Sequence, residues 1–230
     1  EGVLRLNKSA GIAAAINGAV TVGNLAGTAS VVYAGTASAD QIGAVTVTVN
    51  HGATLNLNGI SDAVGAITMT GGQITTGVGT LTLGGTLTYN VGSQAVINGN
   101  LSLGNANRTF AINDGAYTND LVINAIISGG GASGAITKSN VAGTLVLNTA
   151  NTYTGGTTLQ GGVLALGDKA ALGTGTLTFN TNSSKTLRAE GIHLTGANAI
   201  TNAWINNNPN DTNSIILGGR RDFGGAFNIT

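Results

Sequence analysis

The residues that could carry acid–base or metal chemistry are few and far apart. Nine carboxylates, Glu1, Asp40, Asp62, Asp114, Asp120, Asp168, Glu190, Asp211 and Asp222, are scattered over 230 residues. A glycosidase needs two carboxyl groups about 5–10 Å apart, one acting as acid and the other as base or nucleophile. Only a fold that stacks distant segments would bring two of these together. His51 and His193 stand singly, in Asn50-His51-Gly52 and Gly191-Ile192-His193-Leu194, and the chain has no cysteine, so no zinc ligand set is legible. His51 reads as a solvated corner residue and His193 as a strand-edge residue. No glycine-rich loop ends in the Lys-Ser/Thr of a phosphate cradle, and the calcium-binding Gly-Gly-x-Gly-x-Asp repeat is absent. No enzyme activity, cofactor or metal is expected.

Binding chemistry is also sparse. Nine basic residues cancel nine acidic ones, and only 8% of the chain is charged; a nucleic-acid partner, which needs a basic stripe to neutralise phosphates, is not expected. No apolar run approaches the roughly 20 residues of a spanning helix, so no membrane insertion of this segment is expected. The single tryptophan, Trp204, reads as a core or cap residue, with sugar stacking the competing role. It precedes the most polar stretch, Asn206-Asn207-Asn208-Pro209-Asn210-Asp211, which contains the only proline and reads as a loop leaving the fold. Trp204, Asn206, Asn207, Asn208 and Asp211 are thus the candidate ligand loop, with glycans or a host surface as its partner.

The elements that would position these residues are strands. Val45-Thr46-Val47-Thr48-Val49, Thr54-Leu55-Asn56-Leu57, Thr80-Leu81-Thr82-Leu83, Thr86-Leu87-Thr88-Tyr89, Thr144-Leu145-Val146-Leu147, Val163-Leu164-Ala165-Leu166 and Thr176-Leu177-Thr178-Phe179 all alternate with period two. Glycine and asparagine clusters such as Asn58-Gly59, Gly84-Gly85 and Asn98-Gly99 punctuate them and supply sharp corners. Strands of four or five residues leave no room for crossover helices; the clearest helix candidate, 12–16, is short and stops at Asn17-Gly18. A hairpin sandwich also fits many short strands. Scarce charge, Asn and Thr recurring at strand ends where they would stack in ladders, and returning motifs favour a solenoid instead. Gly162-Val163-Leu164-Ala165-Leu166-Gly167-Asp168-Lys169-Ala170, for instance, echoes Gly2-Val3-Leu4-Arg5-Leu6-Asn7-Lys8-Ser9-Ala10. At three strands and ~20–25 residues per coil the chain makes about ten coils in one continuous unit, 1–230.

Residues 136–179 carry a more specific signal. Ile136-Thr137-Lys138, Gly143-Thr144-Leu145-Val146-Leu147, Asn151-Thr152-Tyr153-Thr154-Gly155-Gly156-Thr157-Thr158-Leu159, Gly162-Val163-Leu164-Ala165-Leu166 and Ala171-Leu172-Gly173-Thr174-Gly175 follow one another. This set resembles the autotransporter-associated β-strand repeat, also called the passenger-associated transport repeat. Residues 39–83 are similar to another segment common in such proteins. The resemblance implies an all-β, right-handed parallel β-helix exported to the bacterial cell surface or released. It implies a scaffold, with an adhesin as alternative and a carbohydrate-active β-helix as the least favoured reading. The outer-membrane barrel of such proteins is not seen in this stretch.

Neither end reads as polar-capped. The end read into the start, Gly-Gly-Ala-Phe-Asn-Ile-Thr-Glu-Gly-Val-Leu-Arg-Leu, matches Gly155–Leu166 apart from one inserted residue. Two readings stand: a unit that stacks head to tail on copies of itself, or an excerpt of a longer passenger. For the first, the expected interface is Glu1, Val3, Arg5, Arg220, Arg221, Asp222, Phe227 and Ile229, with Arg220 or Arg221 meeting an acidic group across the joint.

Overall fold

The computed structural model describes all residues except 1, 12, 25–26, 130–133, 140–141, 181–182, 193–199, 207–214 and 219–230. Among the described residues there is no helix, and the regular structure is entirely β. In chain order the strands are β1 (Gly2–Leu6), β2 (Val20–Val22), β3 (Ala29–Tyr33), β4 (Val47–Val49), β5 (Thr54–Asn56), β6 (Asp62–Val64) and β7 (Ile67–Met69). Next come β8 (Gln73–Leu83), β9 (Leu87–Tyr89), β10 (Ala95–Ser102), β11 (Asn107–Ile112), β12 (Leu121–Ile123), β13 (Ile126–Ser128) and β14 (Ala135–Lys138). The last are β15 (Thr144–Leu147), β16 (Thr157–Leu159), β17 (Gly162–Leu166), β18 (Leu177–Phe179), β19 (Lys185–Ala189), β20 (Trp204–Asn206) and β21 (Ile215–Gly218).

All pairing between these strands is parallel, and the chain winds between two main sheets as a β-solenoid. The first sheet stacks β1-β3-β5-β8-β10-β12-β15-β17-β19-β21 and the second β2-β4-β7-β9-β11-β14-β16-β18-β20. The ten stacked strands of the first sheet agree with the expected number of coils. Coil length varies: Leu4 meets Val31 after 27 residues, whereas Leu147 meets Leu166 after 19. Variable corners absorb the difference, because only the stacked strands must keep register.

The reason for the alternation is visible in the columns. One inward column of the first sheet runs Leu4, Val31, Leu55, Ile74, Ile97, Ile123, Leu147, Leu166 and Ala189. The facing column of the second sheet runs Val20, Val47, Ile67, Leu87, Phe110, Lys138, Leu159 and Phe179. Most of these side chains are fully buried in one continuous core. Outward positions carry the polar residues: Thr21, Thr48, Thr68 and Thr88 stack in one column of the second sheet. The echo between the segments at 2–10 and 162–170 places both in the first sheet on the same face. It misses the column by two residues, since Leu4 stacks in the column of Leu166 rather than Leu164. A two-residue slip keeps side-chain parity, so the sequence pattern does not resolve it.

Three expectations are corrected. Among the described residues most coils have two strands rather than three; a third short face is seen where β6, the second halves of β8 and β10, and β13 align. Elsewhere corner segments held by side chains occupy that side. Strand length departs in both directions: most strands have three residues, but β8 has 11, bending at Gly77 (φ 64°), where the register of its ladder with β10 shifts between Thr75 and Thr80. The segment at 13–16 is not helical. Ile16 instead forms a parallel bridge to Ile42.

Lys138 is the one charged residue in these two columns. It occupies an inward position between Phe110 and Leu159, is fully buried, and donates from Nζ to Gly161 O at 2.9 Å. Burial holds its ammonium down at about 8, with Asp120 pulling weakly the other way. Between about 8 and its ordinary value near 10.5 the unfolded chain therefore binds the extra proton, and stability rises with pH. From neutral to moderately alkaline pH, the native chain should gain roughly 1–2 kcal/mol relative to Lys138→Met. Urea unfolding of both proteins at several pH values measures this; identical pH slopes would contradict it.

Candidate functional site

A parallel ladder that is interrupted at corners leaves backbone groups without rungs, and each such buried group must find another partner. Four inward side chains supply them. Gln41 accepts the Lys8 amide at 2.7 Å and donates to Lys8 O at 3.1 Å, as a strand residue would. Asp62 accepts from Ile42 N at 2.9 Å and Ala63 N at 2.8 Å, and the Tyr33 hydroxyl also donates to it. Asp120 accepts from Gly115 N at 2.9 Å and Thr144 N at 2.7 Å. Asn151 accepts from Ile127 N at 2.7 Å and donates to Ala171 O at 2.6 Å. All four are buried. Burial pushes the Asp62 carboxyl above its ordinary value, against the hydrogen bonds that oppose the shift, and burial and the neighbouring Asp62 push the Tyr33 phenol up.

The corner built by Asn151 is the most elaborate. Ile127 sits in β13, the last strand of the third face, and the coil that follows offers no strand there. Asn151 Oδ1 and the Thr152 amide, which donates to Ile127 O at 2.9 Å, take the place of that strand. Two residues on, Tyr153 turns its ring into the core, fully buried, and its hydroxyl meets Thr157 Oγ1 at 2.7 Å. Gly156 turns the corner at φ 88°. Gly173, at φ 60°, passes so close that a Cβ there would lie 2.1 Å from Tyr153 O. Asn151, Tyr153 and Gly173 are therefore each fixed in type by a hydrogen bond or a clearance.

On the outer surface, Asn148 Nδ2 donates to Asn124 Oδ1 at 2.8 Å and Asn124 Nδ2 to Asn98 Oδ1 at 3.0 Å. This is the asparagine ladder expected from the strand ends. Two rungs beyond Asn148 stands Glu190, paired with Arg188 at 2.8 Å, and Asn119 bonds to both. Beneath the reach of this clasp a second apolar cluster, Val122, Val146 and Ala165, is buried on the outer side of the first sheet. Sequence reasoning missed it, because β15 reads as alternating yet is buried on both faces.

The carboxylates that the structure describes are otherwise dispersed. Asp168 accepts from Ala170 N at 2.7 Å, and Asp40 lies near enough to Asp62 to raise it further. Among the described residues no group of three or more His, Asp or Glu gathers. His51 is exposed at a corner and bonds to Ser93 on a later coil; His193 lies outside the described residues. Trp204 belongs to β20, is partly buried against the core, and its ring is tilted on Phe179 with centroids 5.5 Å apart. Asn206, expected in a loop, is the last residue of the same strand, paired with Phe179, because the ladder continues one residue further than the polar run suggested. Asn207, Asn208 and Asp211 lie outside the described residues. Of the expected interface, Val3 and Arg5 are exposed on β1; Glu1, Arg220, Arg221, Asp222, Phe227 and Ile229 lie outside the described residues.

Parallel coils, an interior column of aliphatic residues and side-chain rungs at the corners define a β-solenoid scaffold. Within it, residues 142–166 match the family model of the passenger-associated transport repeat. This stretch is similar to that repeat. It spans β15, β16 and β17, one full turn from Thr144 to the strand in which Val163 pairs with it. No curated protein and no solved structure matches the chain.

The corner makes a sharp expectation. Asn151→Ala strands the Ile127 amide and Ala171 carbonyl and should lower unfolding free energy by about 2–3 kcal/mol. Tyr153→Phe, which removes only the hydroxyl, should cost about 1 kcal/mol. Chemical denaturation checks the order; equal losses, or none for Asn151→Ala, would contradict the corner's role.

Proposed function

We propose that the chain is a structural segment of an autotransporter passenger: a rigid, non-enzymatic β-solenoid rod held at the bacterial cell surface or released from it. In this reading residues 1–230 act as one continuous unit and lengthen by axial stacking on further copies. The passenger repeat at 142–166 supports the class and the export. The observation that carries the stacking is β1. Among the described strands it pairs only with β3, and its side chains stay open, Val3 at 62% and Leu4 at 51% exposure. Leu4 heads the inward column, and among the described residues its only rung is Val31. A strand in that position is a template for a further parallel strand. In this reading the strand laid on it comes from the last coil of a second copy. Only 8% of the chain is charged, so little charge is desolvated in the joint, and Arg220 or Arg221 is assigned to an acidic group across it. Head-to-tail contacts of this kind do not close, and they give filaments.

Electron microscopy and light scattering of the purified chain test this. Rods many units long are expected, and Leu4→Asp should leave single particles with an intact unfolding transition. Monomers at every concentration, or rods indifferent to Leu4→Asp, would overturn stacking. Glycan binding abolished by Trp204→Ala would replace the scaffold reading with an adhesin.

A further inference from the structure

The chain contains four pairs prone to one backbone reaction: Asn17-Gly18, Asn58-Gly59, Asn98-Gly99 and Asp114-Gly115. A glycine nitrogen, unshielded by a neighbouring Cβ, can attack the side-chain carbonyl carbon of the residue before it and close a five-membered succinimide. The reaction needs an uncommitted glycine N–H and a side chain able to swing onto it, and small losses of that geometry slow it strongly.

The solenoid withholds these conditions from three of the pairs. The Gly59 amide donates to Thr76 O at 3.0 Å, and Asn58 Nδ2 is held on Tyr33 O at 3.1 Å. The Gly115 amide donates to Asp120 Oδ1 at 2.9 Å. Asn98 lies within β10, its Oδ1 engaged by Asn124 at 3.0 Å, and the backbone just beyond is pinned where Asn100 N donates to Thr76 Oγ1 at 2.7 Å.

Asn17 is held differently. It and Gly18 are exposed and lie outside any strand. Its amide bonds to Ala14 O at 3.2 Å, an exposed contact within the same turn. The Gly18 N–H makes no hydrogen bond among the described residues, and a Cβ built on Gly18 would meet nothing within 4 Å. We infer that Asn17-Gly18 is the site at which the folded chain deamidates spontaneously.

The Gly18 nitrogen gives its proton to solvent and bonds to Asn17 Cγ. The Cγ–Nδ2 bond breaks and ammonia leaves. Water then opens the succinimide at either carbonyl, leaving aspartate or isoaspartate at position 17; no redox partner is involved. The product places a negative charge on a chain that is neutral overall. The isoaspartate form also lengthens the main chain by one methylene between the Ile16–Ile42 bridge and β2.

The test is peptide mapping by mass spectrometry, with enzymatic detection of isoaspartate, after prolonged incubation of the chain in mildly alkaline buffer. Conversion at Asn17 should exceed that at Asn58 and Asn98 by at least about tenfold. In denaturant the three should convert alike, and Asn17→Gln should remove most isoaspartate from the folded protein. Equal conversion at Asn58 or Asn98 in the folded chain, or a preference for Asn17 that survives denaturation, would overturn the inference.

Discussion

The parallel backbone ladder is the interaction on which everything else rests. No coil of this chain has a core of its own: two or three short strands enclose only a few inward side chains, and their backbone groups point along the axis toward the coils above and below. Burial and hydrogen bonding are satisfied together, and only by stacking. This is why the inward column from Leu4 to Ala189 holds one aliphatic residue at each of its nine positions, with Ala189 the smallest.

A ladder that turns corners cannot be continuous, and the breaks are filled by polar side chains buried beside the apolar column. Gln41, Asp62, Asp120 and Asn151 all accept a main-chain amide on a neighbouring coil or corner. Because an unsatisfied buried amide costs about 1–3 kcal/mol, these few residues constrain register more tightly than the interchangeable Leu, Ile and Val around them. The matched stretch concentrates the device: its Asn151 and Tyr153 fit against Ala171 and Gly173 of the following coil, which gives a physical reason for those two residue types.

Much of this was legible in the sequence. The runs at 45–49, 54–57, 80–83, 86–89, 144–147, 163–166 and 176–179 all lie in or over strands, since period two is a direct consequence of a half-buried pleat. The asparagine ladder was legible for the same reason. What the pattern did not reveal was the partner of each strand: a two-residue slip leaves parity unchanged, so Leu164 and Leu166 were indistinguishable as companions of Leu4. The polar corner residues were not singled out either, because a buried Asp or Asn looks in sequence like any turn residue. Lys138 falls two residues after Ile136 and so on the same face, and the structure shows that this charge is fully buried there. Trp204 illustrates the reverse. Its isolation suggested two roles, and the structure sets its ring, partly buried, on Phe179 at the margin of the core.

Amide hydrogen exchange at the corners tests the account most directly. The Lys8, Ile42, Ile127 and Thr144 amides are held by side chains rather than by strand partners. If those side chains act as rungs, the four amides exchange as slowly as the strand amides around them. Exchange at the rate of exposed loop amides, with the neighbouring strands protected, would show that the corners are open and that the ladder is held by its apolar column alone.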